Sequence, residues 1–596
     1  TTSINVTINN LNMNRNALLT LAFATSAIAA SAQRSTINLK QWQFSRDSIN
    51  YSPVTVPHDW AISGPFDKDI DKQVVAIMEN GEQKATEKTG RSGSLPWVGE
   101  GWYRTAFDIP EGYTCGELVF DGAMAEPHVW VDGKDVGYWA FGYNVFRLKL
   151  GGELMKPGRH TLAVHLQNVE ESSRWYPGAG IYRPVRLVLH KEVHIDRWET
   201  FVRTTRLDGI TPDHTQAERA RLTVSSTVES PAYDGKLSVT HTLLDASGKP
   251  AGASKKMLWK DFKQTVQTID VDQPLLWCPE HPVLYTLVTE VHKDNKLCDR
   301  QATKLGIRLA EYNQQGFFLT GEQRKFRGVC LHHDMGSTGT AFYKDAFRRQ
   351  VRLLKEMGCD AIRTSHNTPC PWQMDICDEM GMMVMAESFD MWKISKCKNG
   401  YARFFDETDT EHVNADGQKW YLRDISNLVR VNRNHPSIVM WSIGNEVPEQ
   451  SHADGLYYST MMQDLIHRLD GTRPCTQGMN SGRAAMENGI WQTMDIPGWN
   501  YHVMEYPAGE KASKSGIIVG SETASTISSR GVYKFPVTEE VHTMYPDGQV
   551  SSYDLTVCHW SNLPDDDWVM QDLDPRVIGE FVWTGFDYLG EPTQYA

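Results

Sequence analysis

Two acidic residues each end an apolar run of strand length. The run Ile438-Val-Met-Trp441 continues through Ser-Ile-Gly to Asn445 and Glu446, and the run Gly516-Ile-Ile-Val-Gly-Ser leads to Glu522. Such a run, closed by glycine and polar groups, is typical of a buried parallel strand, and α/β barrels carry their chemistry at the carboxyl ends of these strands. Two strand-end carboxylates suggest hydrolysis of a glycosidic bond, in which one acid protonates the leaving oxygen and the other attacks the anomeric carbon.

Five further polar or aromatic residues lie at the ends of neighbouring strand-like runs. They are His332, Arg363, His366, Tyr501 and Trp583. Because the carboxyl ends of barrel strands meet at one mouth, these side chains are candidates for a sugar-binding pocket around the two acids. The indole of Trp583 can offer a platform to a pyranose ring, although an ordinary core tryptophan fits its pattern equally well.

The residues from 308 to 596 alternate between helix and strand patterns. Lys344 to Met357 places Phe347, Val351 and Leu354 on one helical face and ends at Gly358, which predicts an α-helix with a glycine cap. Eight strands can be placed, near residues 326–329, 361–363, 383–386, 438–443, 474–477, 495–500, 517–520 and 577–583. This order predicts a (β/α)8 TIM barrel.

The position of the eighth predicted strand leaves little sequence for a last barrel helix. The chain stops 13 residues after Trp583 (596 − 583). We therefore expect a barrel that is truncated at its C-terminus and poorly closed.

The residues before the barrel predict two all-β domains. From 33 to 191, short alternating runs such as His128-Val-Trp-Val131, closed by Asp132-Gly133, predict a jelly-roll β-sandwich. An irregular stretch from Glu170 to Ile181 interrupts it, and loops of this length are usually functional or mobile. From 192 to 307, about a hundred residues of evenly spaced strands predict an immunoglobulin-like sandwich.

Composition and motif content exclude several classes of partner and chemistry. The formal net charge of −14 and the pI near 5.8 would repel nucleic acid and anionic membranes, so neither is an expected partner. The ten cysteines lack CxxC spacing and the His-containing strand ends lack HExxH spacing, so we expect no metal. A G-x-S-x-G elbow, a P-loop and a G-x-G-x-x-G that opens a helix are all absent from the sequence, and no cofactor is expected.

Residues 1–32 predict upstream sequence followed by a secretory signal peptide. Met13-Asn-Arg15 supplies a basic region, the segment from Ala17 to Ala30 is apolar but too short to span a bilayer, and Ala30-Ser-Ala32 resembles a cleavage site. We expect the mature chain to begin near Gln33 and to be periplasmic or secreted.

The domain order and several long motifs resemble glycoside hydrolase family 2. The motifs are Pro57-His-Asp-Trp60, Gly101-Trp-Tyr-Arg104, Arg174-Trp-Tyr-Pro-Gly-Ala-Gly-Ile-Tyr-Arg183, Phe326-Arg-Gly-Val329, Ile362-Arg-Thr-Ser-His366, Asn434-His-Pro-Ser-Ile438 through Glu446, and Gly579-Glu-Phe-Val-Trp583. The resemblance covers nearly all of the chain after residue 33.

The resemblance implies a role for each candidate residue. By similarity, Glu446 is the acid/base, Glu522 is the nucleophile and Asn445 binds the 2-hydroxyl of the sugar. Tyr501 would hydrogen-bond the nucleophile. The residues that would line the terminal-sugar subsite are His332, Arg363, His366 and Trp583. Glu387 and Asp390 are less firmly placed, because the motif around strand three differs among branches of the family.

The motifs Glu387-Ser-Phe-Asp-Met-Trp392 and Phe586-Asp-Tyr-Leu-Gly-Glu-Pro-Thr593 resemble the branch of secreted bacterial β-galactosidases. The resemblance thus implies a retaining exo-β-glycosidase that acts on terminal β-D-galactosides of an oligo- or polysaccharide. The alternatives are a β-glucuronidase or β-mannosidase of the same family, or a non-catalytic carbohydrate-binding protein if the barrel is incomplete. The sequence indicates no oligomeric state.

Overall fold

The structure, a computed structural model, describes residues 34–67, 94–232, 234–260, 263–537, 549–558 and 560–590. The expected signal peptide within residues 1–32 lies outside this set. Among the described residues, no helix combines the length and the apolar character that a membrane crossing requires.

The first domain is a sandwich of two antiparallel sheets. Its strands are β1 (Ser35–Asn38), β2 (Gln41–Ser45), β3 (Ser52–Thr55), β4 (Gly99–Ile109), β5 (Cys115–Phe120), β6 (His128–Val131), β7 (Lys134–Tyr138), β8 (Phe146–Leu150), β9 (Gly158–Asn168) and β10 (Val185–His190). One sheet has the order β1-β10-β5-β8 and the other has the order β3-β2-β4-β9-β6-β7. Along β9, Leu162, Val164 and Leu166 are buried between the sheets while the alternate residues face outward. The predicted sandwich is confirmed.

The second domain is also built from two antiparallel sheets, as the evenly spaced strands predict. Its strands are β11 (His194–Ile195), β12 (Phe201–Ile210), β13 (Ala217–Glu229), β14 (Asp234–Leu244), β15 (Pro250–Ala253), β16 (Met257–Lys260), β17 (Gln264–Asp272), β18 (Tyr285–Lys293) and β19 (Lys296–Leu305). Strand β13 pairs with β11, β12 and β17, and β14 pairs with β15, β16 and β18, which in turn pairs with β19.

The third domain begins with a small antiparallel sheet and continues as a barrel. The sheet consists of β20 (Ala310–Asn313), β21 (Gly316–Leu319) and β22 (Glu322–Arg324). Barrel strands one to eight are β23 (Phe326–Leu331), β24 (Ala361–Thr364), β25 (Met383–Glu387), β26 (Ile438–Asn445), β27 (Cys475–Met479), β28 (Gly498–Asn500), β29 (Ile518–Thr523) and β32 (Val577–Val582). A two-stranded ribbon, β30 (Thr526–Ile527) and β31 (Thr556–Val557), lies between strands seven and eight.

Helices connect the barrel strands. They are α1 (Lys344–Met357), α2 (Pro371–Met380), α3 (Ala402–Phe405), α4 (Trp420–Asn432), α5 (Asp454–Leu469), α6 (Gly482–Asn488), α7 (Ile490–Thr493), α8 (Tyr506–Ala512) and α9 (Pro564–Leu573). Helix α1 buries Phe347, Val351 and Leu354 and ends at Gly358, whose φ of 100° is left-handed, as the sequence predicts.

All eight predicted strands form and the barrel is closed. Strand eight pairs in parallel with strand one, for example Phe326 with Gly579, and with strand seven. The expectation of a poorly closed barrel is therefore wrong for the strands, because closure depends on backbone hydrogen bonds between neighbouring strands and these do not require a following helix.

The sandwich packs directly against the barrel. The Asn144 amide donates to Asp424 Oδ1 at 2.7 Å, and Arg183 Nη2 donates to the Thr368 carbonyl at 3.0 Å. Buried apolar residues of both domains form one continuous cluster. The loop between β9 and β10 is thereby held at the mouth of the barrel, where the strands end.

Candidate active site

The two acids lie at the mouth of the barrel, on strands four and seven. Asn445 ends β26, and Glu446 follows it with a left-handed φ of 43°, whereas Glu522 lies within β29. Glu522 is buried and Glu446 is half-buried. The Asn500 side chain, from strand six, donates from Nδ2 to Glu446 Oε1 and to Asn445 Oδ1, each at 3.0 Å. Strand six therefore fixes the more exposed acid beside its neighbouring amide.

Each carboxylate oxygen of Glu522 has its own donor. Arg363 Nη1 donates to Oε1 at 2.8 Å, and the Tyr501 hydroxyl donates to Oε2 at 3.1 Å. His366 Nε2 lies 3.4 Å from Oε1. Burial raises the pKa of Glu522 to about 7, with Arg363 opposing this rise and the charge of Glu446 adding to it. The two acids thus influence each other through a shared space.

The guanidinium of Arg363 is completely buried and joins four strand ends. Besides Glu522, it donates from Nε to Glu387 Oε2 and from Nη2 to Asn445 Oδ1, both at 2.9 Å. Burial opposes its charge, but Glu387 and Glu522 hold the pKa of Arg363 well above its usual range. His366 Nδ1 lies 2.7 Å from Glu387 Oε1 and secures that carboxylate. Arg363 is therefore a fixed cation beneath the pocket.

The loop between β9 and β10 reaches from the sandwich into this site. Arg174 forms a bidentate pair with Asp390, with Nε to Oδ2 at 2.8 Å and Nη2 to Oδ1 at 2.6 Å. Asp390 Oδ1 also accepts from Asn445 Nδ2 at 3.2 Å and from Lys396 Nζ at 3.0 Å. Burial works against ionisation of Asp390, but Arg174 and Lys396 outweigh it and hold the pKa of this carboxyl well below its usual range. Two domains therefore hold Asn445 in place.

Aromatic rings form one wall of the mouth. The Trp583 ring is parallel to that of His366, with centroids 5.1 Å apart. The His332 ring lies 4.0 Å from that of Tyr588 and 4.7 Å from that of Trp175. Neither ring nitrogen of His332 has a hydrogen-bond partner among the described residues, and burial lowers the pKa of His332 well below its usual range. A neutral imidazole with two available nitrogens can both donate to and accept from hydroxyl groups.

The mouth thus combines two carboxylates in different environments with donors, acceptors and aromatic faces. Different environments for two titratable groups are how proteins separate an acid from a nucleophile. Aromatic faces beside polar groups suit a polyhydroxylated ring, which has apolar faces and hydroxyl edges. This arrangement can hold a sugar and present one of its bonds to both acids.

Two family models match the sequence and decide its relationship. The description "Glycosyl hydrolases family 2, TIM barrel domain" matches residues 311–595, and "Glycosyl hydrolases family 2" matches residues 205–308. Together they cover well over half of the chain. The chain belongs to glycoside hydrolase family 2.

The family 2 relatives carry more than one activity in their names. The chain is 33% identical to the β-galactosidase BoGH2A of Bacteroides ovatus over 91% of this chain and 65% of that protein. It is 30% identical to a putative β-glucuronidase of Formosa agariphila, over 91% of this chain and 50% of that protein. A solved β-glycosidase from Bacteroides vulgatus is 30% identical, with a TM-score of 0.76 over 94% of this chain and 71% of that one. The chain thus spans about half to two thirds of these two curated relatives.

In this family 2 chain, every site residue predicted from the sequence lies at the barrel mouth. Glu446, Glu522, Asn445, Arg363, His366 and Tyr501 are connected by hydrogen bonds or close polar contacts, and His332 and Trp583 join them through ring contacts. Their individual roles stay predictions.

Three residues of the family 2 site were not predicted to take part. Asn500 directly precedes the predicted Tyr501 at the end of strand six, so the polar strand end was its signal. Arg174 begins a motif within the irregular stretch 170–181, and the length of that loop was its only signal. Lys396 lies in the connection after strand three, and no sequence pattern points to it.

Proposed function

We propose that this protein is a retaining exo-β-glycosidase that hydrolyses terminal β-D-galactosides by double displacement. The observation that carries the proposal is the contrast between the two acids. Glu522 is buried with a donor on each oxygen, whereas Glu446 is half-buried at the same mouth and held by Asn500. A fixed carboxylate suits a nucleophile, and an accessible one suits an acid that exchanges protons with leaving group and water.

The reaction proceeds in two steps. First, Glu522 attacks the anomeric carbon while Glu446 gives its proton to the glycosidic oxygen, so the bond to the leaving group breaks and a glycosyl ester forms on Glu522. Second, Glu446 takes a proton from water, and the resulting nucleophile attacks the anomeric carbon and releases Glu522. Two inversions retain the β configuration.

The amide of Asn445 is oriented for a hydroxyl of the sugar. Its Oδ1 accepts from Arg363 and Asn500, which assigns the oxygen, and one N–H bonds to Asp390. The second N–H can donate to the 2-hydroxyl next to the anomeric carbon, an interaction that strengthens as charge develops there.

The raised pKa of Glu522 predicts an acidic limb in the pH profile. The nucleophile must be ionised, and a carboxyl with a pKa near 7 takes up its proton as the pH falls below 7. We expect kcat/KM for an aryl β-galactoside to fall below about pH 7, approaching tenfold per pH unit. Initial rates between pH 4 and about 9 measure it, with residual activity at pH 7 after each incubation as the control for unfolding. A profile that stays flat to pH 5 would contradict the assignment.

The contact between Arg174 and Asp390 predicts that a sandwich residue sustains catalysis in the barrel. In Arg174→Met, Asp390 loses its bidentate partner and its hold on Asn445 weakens, so we expect kcat/KM to fall roughly 100-fold. Steady-state kinetics and thermal unfolding measure the effect. The matched control is Arg403→Met, which removes an ion pair to Glu126 that also joins barrel and sandwich. Equal kinetic losses in both variants would mean that domain docking alone was disturbed.

The choice of galactose rests on similarity. It is supported by the Bacteroides ovatus β-galactosidase among the relatives and by the resemblance of the segment from Glu387 to Trp392 to β-galactosidases. The putative β-glucuronidase of Formosa agariphila keeps β-glucuronide as the second candidate. The β-mannosidase and the non-catalytic carbohydrate-binding alternatives remain for the same test.

A panel of aryl β-galactoside, β-glucuronide and β-mannoside tests the proposed function. We expect kcat/KM for the galactoside to exceed the others by on the order of 100-fold, because a site built for particular hydroxyls leaves its polar groups unpaired with the wrong sugar. Preference for the glucuronide would replace the sugar while keeping the mechanism. Sugar binding without turnover of any of the three would favour the carbohydrate-binding protein.

We also propose that the protein is exported to the periplasm or the medium, on the basis of the basic and apolar segments before Gln33. N-terminal sequencing of protein recovered from cell fractions tests this. A mature chain that retains residues 13–32 in the cytoplasm would contradict it.

A further inference from the structure

Three potential metal ligands meet at the amino ends of the barrel strands, on the face opposite the mouth. They are His467 in the last turn of α5, Cys475 at the start of β27, and Asp495 just before β28. One ligand atom from each, a ring nitrogen, the thiol sulfur and a carboxylate oxygen, all lie within 4.8 Å of one another. Three separate elements therefore bring a nitrogen, a sulfur and an oxygen to one point.

The cluster is already organised by Asp495. Its Oδ2 lies 2.7 Å from His467 Nε2 and accepts the backbone N–H of Cys475 at 2.8 Å. The thiol is completely buried, whereas the side chains of His467 and Asp495 are 40% and 35% exposed. The site is thus lined by protein on the sulfur side and open to solvent on the other, which leaves an entry path and room for a water ligand.

We propose that His467, Cys475 and Asp495 bind a divalent cation of the zinc class. Zinc takes imidazole nitrogen, thiolate sulfur and carboxylate oxygen at about 2.0–2.3 Å, which places tetrahedral ligand atoms roughly 3.5 Å apart. The present spacing reaches that geometry with small side-chain movements. Hard cations such as Ca²⁺ and Mg²⁺ prefer all-oxygen sites, so the sulfur and nitrogen disfavour them.

The charges around the cluster also favour a cation. Besides Asp495, the carboxylates of Asp464 and Asp470 act on His467, and Asp470 acts on Cys475, although Arg473 pairs with Asp470. On binding, the Cys475 thiol releases its proton to solvent and the thiolate sulfur bonds to the metal, while neutral His467 bonds through Nε2 instead of sharing a proton with Asp495. Burial raises the pKa of the Cys475 thiol well above its usual range, and a bound cation reverses this by deprotonating its sulfur ligand.

The position predicts stabilisation of the fold. The cluster joins a helix to strands five and six at the amino ends of the strands, whereas Glu446 and Glu522 lie at the carboxyl ends. A cation bound there crosslinks three elements of the native barrel and has no ordered counterpart in the unfolded chain. It therefore raises stability and leaves glycoside turnover unchanged.

Metal binding and thermal unfolding of the full chain test the proposal. Protein stripped with a chelator is titrated with Co²⁺ and with Zn²⁺. We expect a thiolate-to-cobalt charge-transfer band in the near ultraviolet, and an unfolding midpoint that rises by roughly 2 °C or more with Zn²⁺. Cys475→Ser removes the band, and His467→Gln, at a partly exposed position that tolerates substitution, weakens cobalt binding at least tenfold.

The matched control is Cys298→Ser, which removes a half-buried thiol from the immunoglobulin-like domain and should keep both responses. A cobalt band that persists in Cys475→Ser, or the absence of both the band and the midpoint shift in the unmodified protein, overturns the proposal. Either result would leave His467 and Asp495 as an ordinary hydrogen-bonded pair. Because kcat on an aryl β-glycoside is not the readout, the outcome is independent of the proposed function.

Discussion

Replacing Glu522 with glutamine is expected to abolish turnover of aryl β-galactosides. An amide cannot attack the anomeric carbon, so the covalent intermediate does not form and kcat falls by on the order of 10⁴-fold or more. Glutamine has nearly the same volume and keeps an oxygen that can accept from Arg363 or Tyr501, so the barrel mouth should stay folded. Steady-state kinetics with a nitrophenyl β-galactoside measure the loss, and thermal unfolding verifies the fold.

A fluorinated substrate identifies the nucleophile in the unmodified protein. A 2-deoxy-2-fluoro galactoside with a good leaving group should trap its ester on Glu522, which mass spectrometry of the peptides locates. The matched control is Glu505→Gln, a half-buried carboxylate on the loop after strand six that pairs with Arg483. That variant should keep normal kinetics and normal labelling. A label on any residue other than Glu522 would overturn the assignment.

Replacing Glu446 with alanine is expected to produce a loss that depends on the leaving group. Without the acid, substrates with poor leaving groups such as alkyl galactosides should lose roughly 10²–10⁴-fold in kcat/KM. Dinitrophenyl galactosides need little protonation, so their first step should be nearly normal while the second step, which lacks its base, becomes slow. A burst of dinitrophenol followed by a slow steady state is the expected time course.

Azide provides a sharper test of the same residue. As an anion it needs no general base, so it should accelerate the second step of Glu446→Ala and form the β-galactosyl azide. Glu505→Ala, another half-buried carboxylate, is the control and should show neither the burst nor the azide effect. Equal losses for good and poor leaving groups, without azide rescue, would mean that Glu446 does not act as the acid/base.

Much of the barrel could be predicted because its signals are local. The helix from Lys344 to Met357 has three apolar residues on one face and Gly358 after it, and the structure has the same bounds. Each barrel strand is an apolar run, because both of its faces are covered. A polar residue at the end of such a run has one place to go, the mouth, and this is why Glu446 and Glu522 could be predicted as a pair.

The remaining parts of the site depend on contacts between distant segments. Arg174 meets Asp390 across 216 positions, and Arg363 meets Glu522 across 159. Nothing in the local pattern around Arg174 or Lys396 indicates which carboxylate each will pair with. Those pairings require the docking of one domain on another, which is set by the shape of a shared apolar core.

The sequence by itself determined the order of elements, the closed barrel's eight strands and which residues reach its mouth, since these follow from periodicity and from strand ends. Only the tertiary structure decided how the two acids differ. Burial raises the pKa of Glu522 toward 7, Arg363 opposes it from strand two, and Asn500 holds Glu446 from strand six. The physical reason is that a pKa depends on desolvation and on charges a few ångströms away, which are properties of the packed barrel.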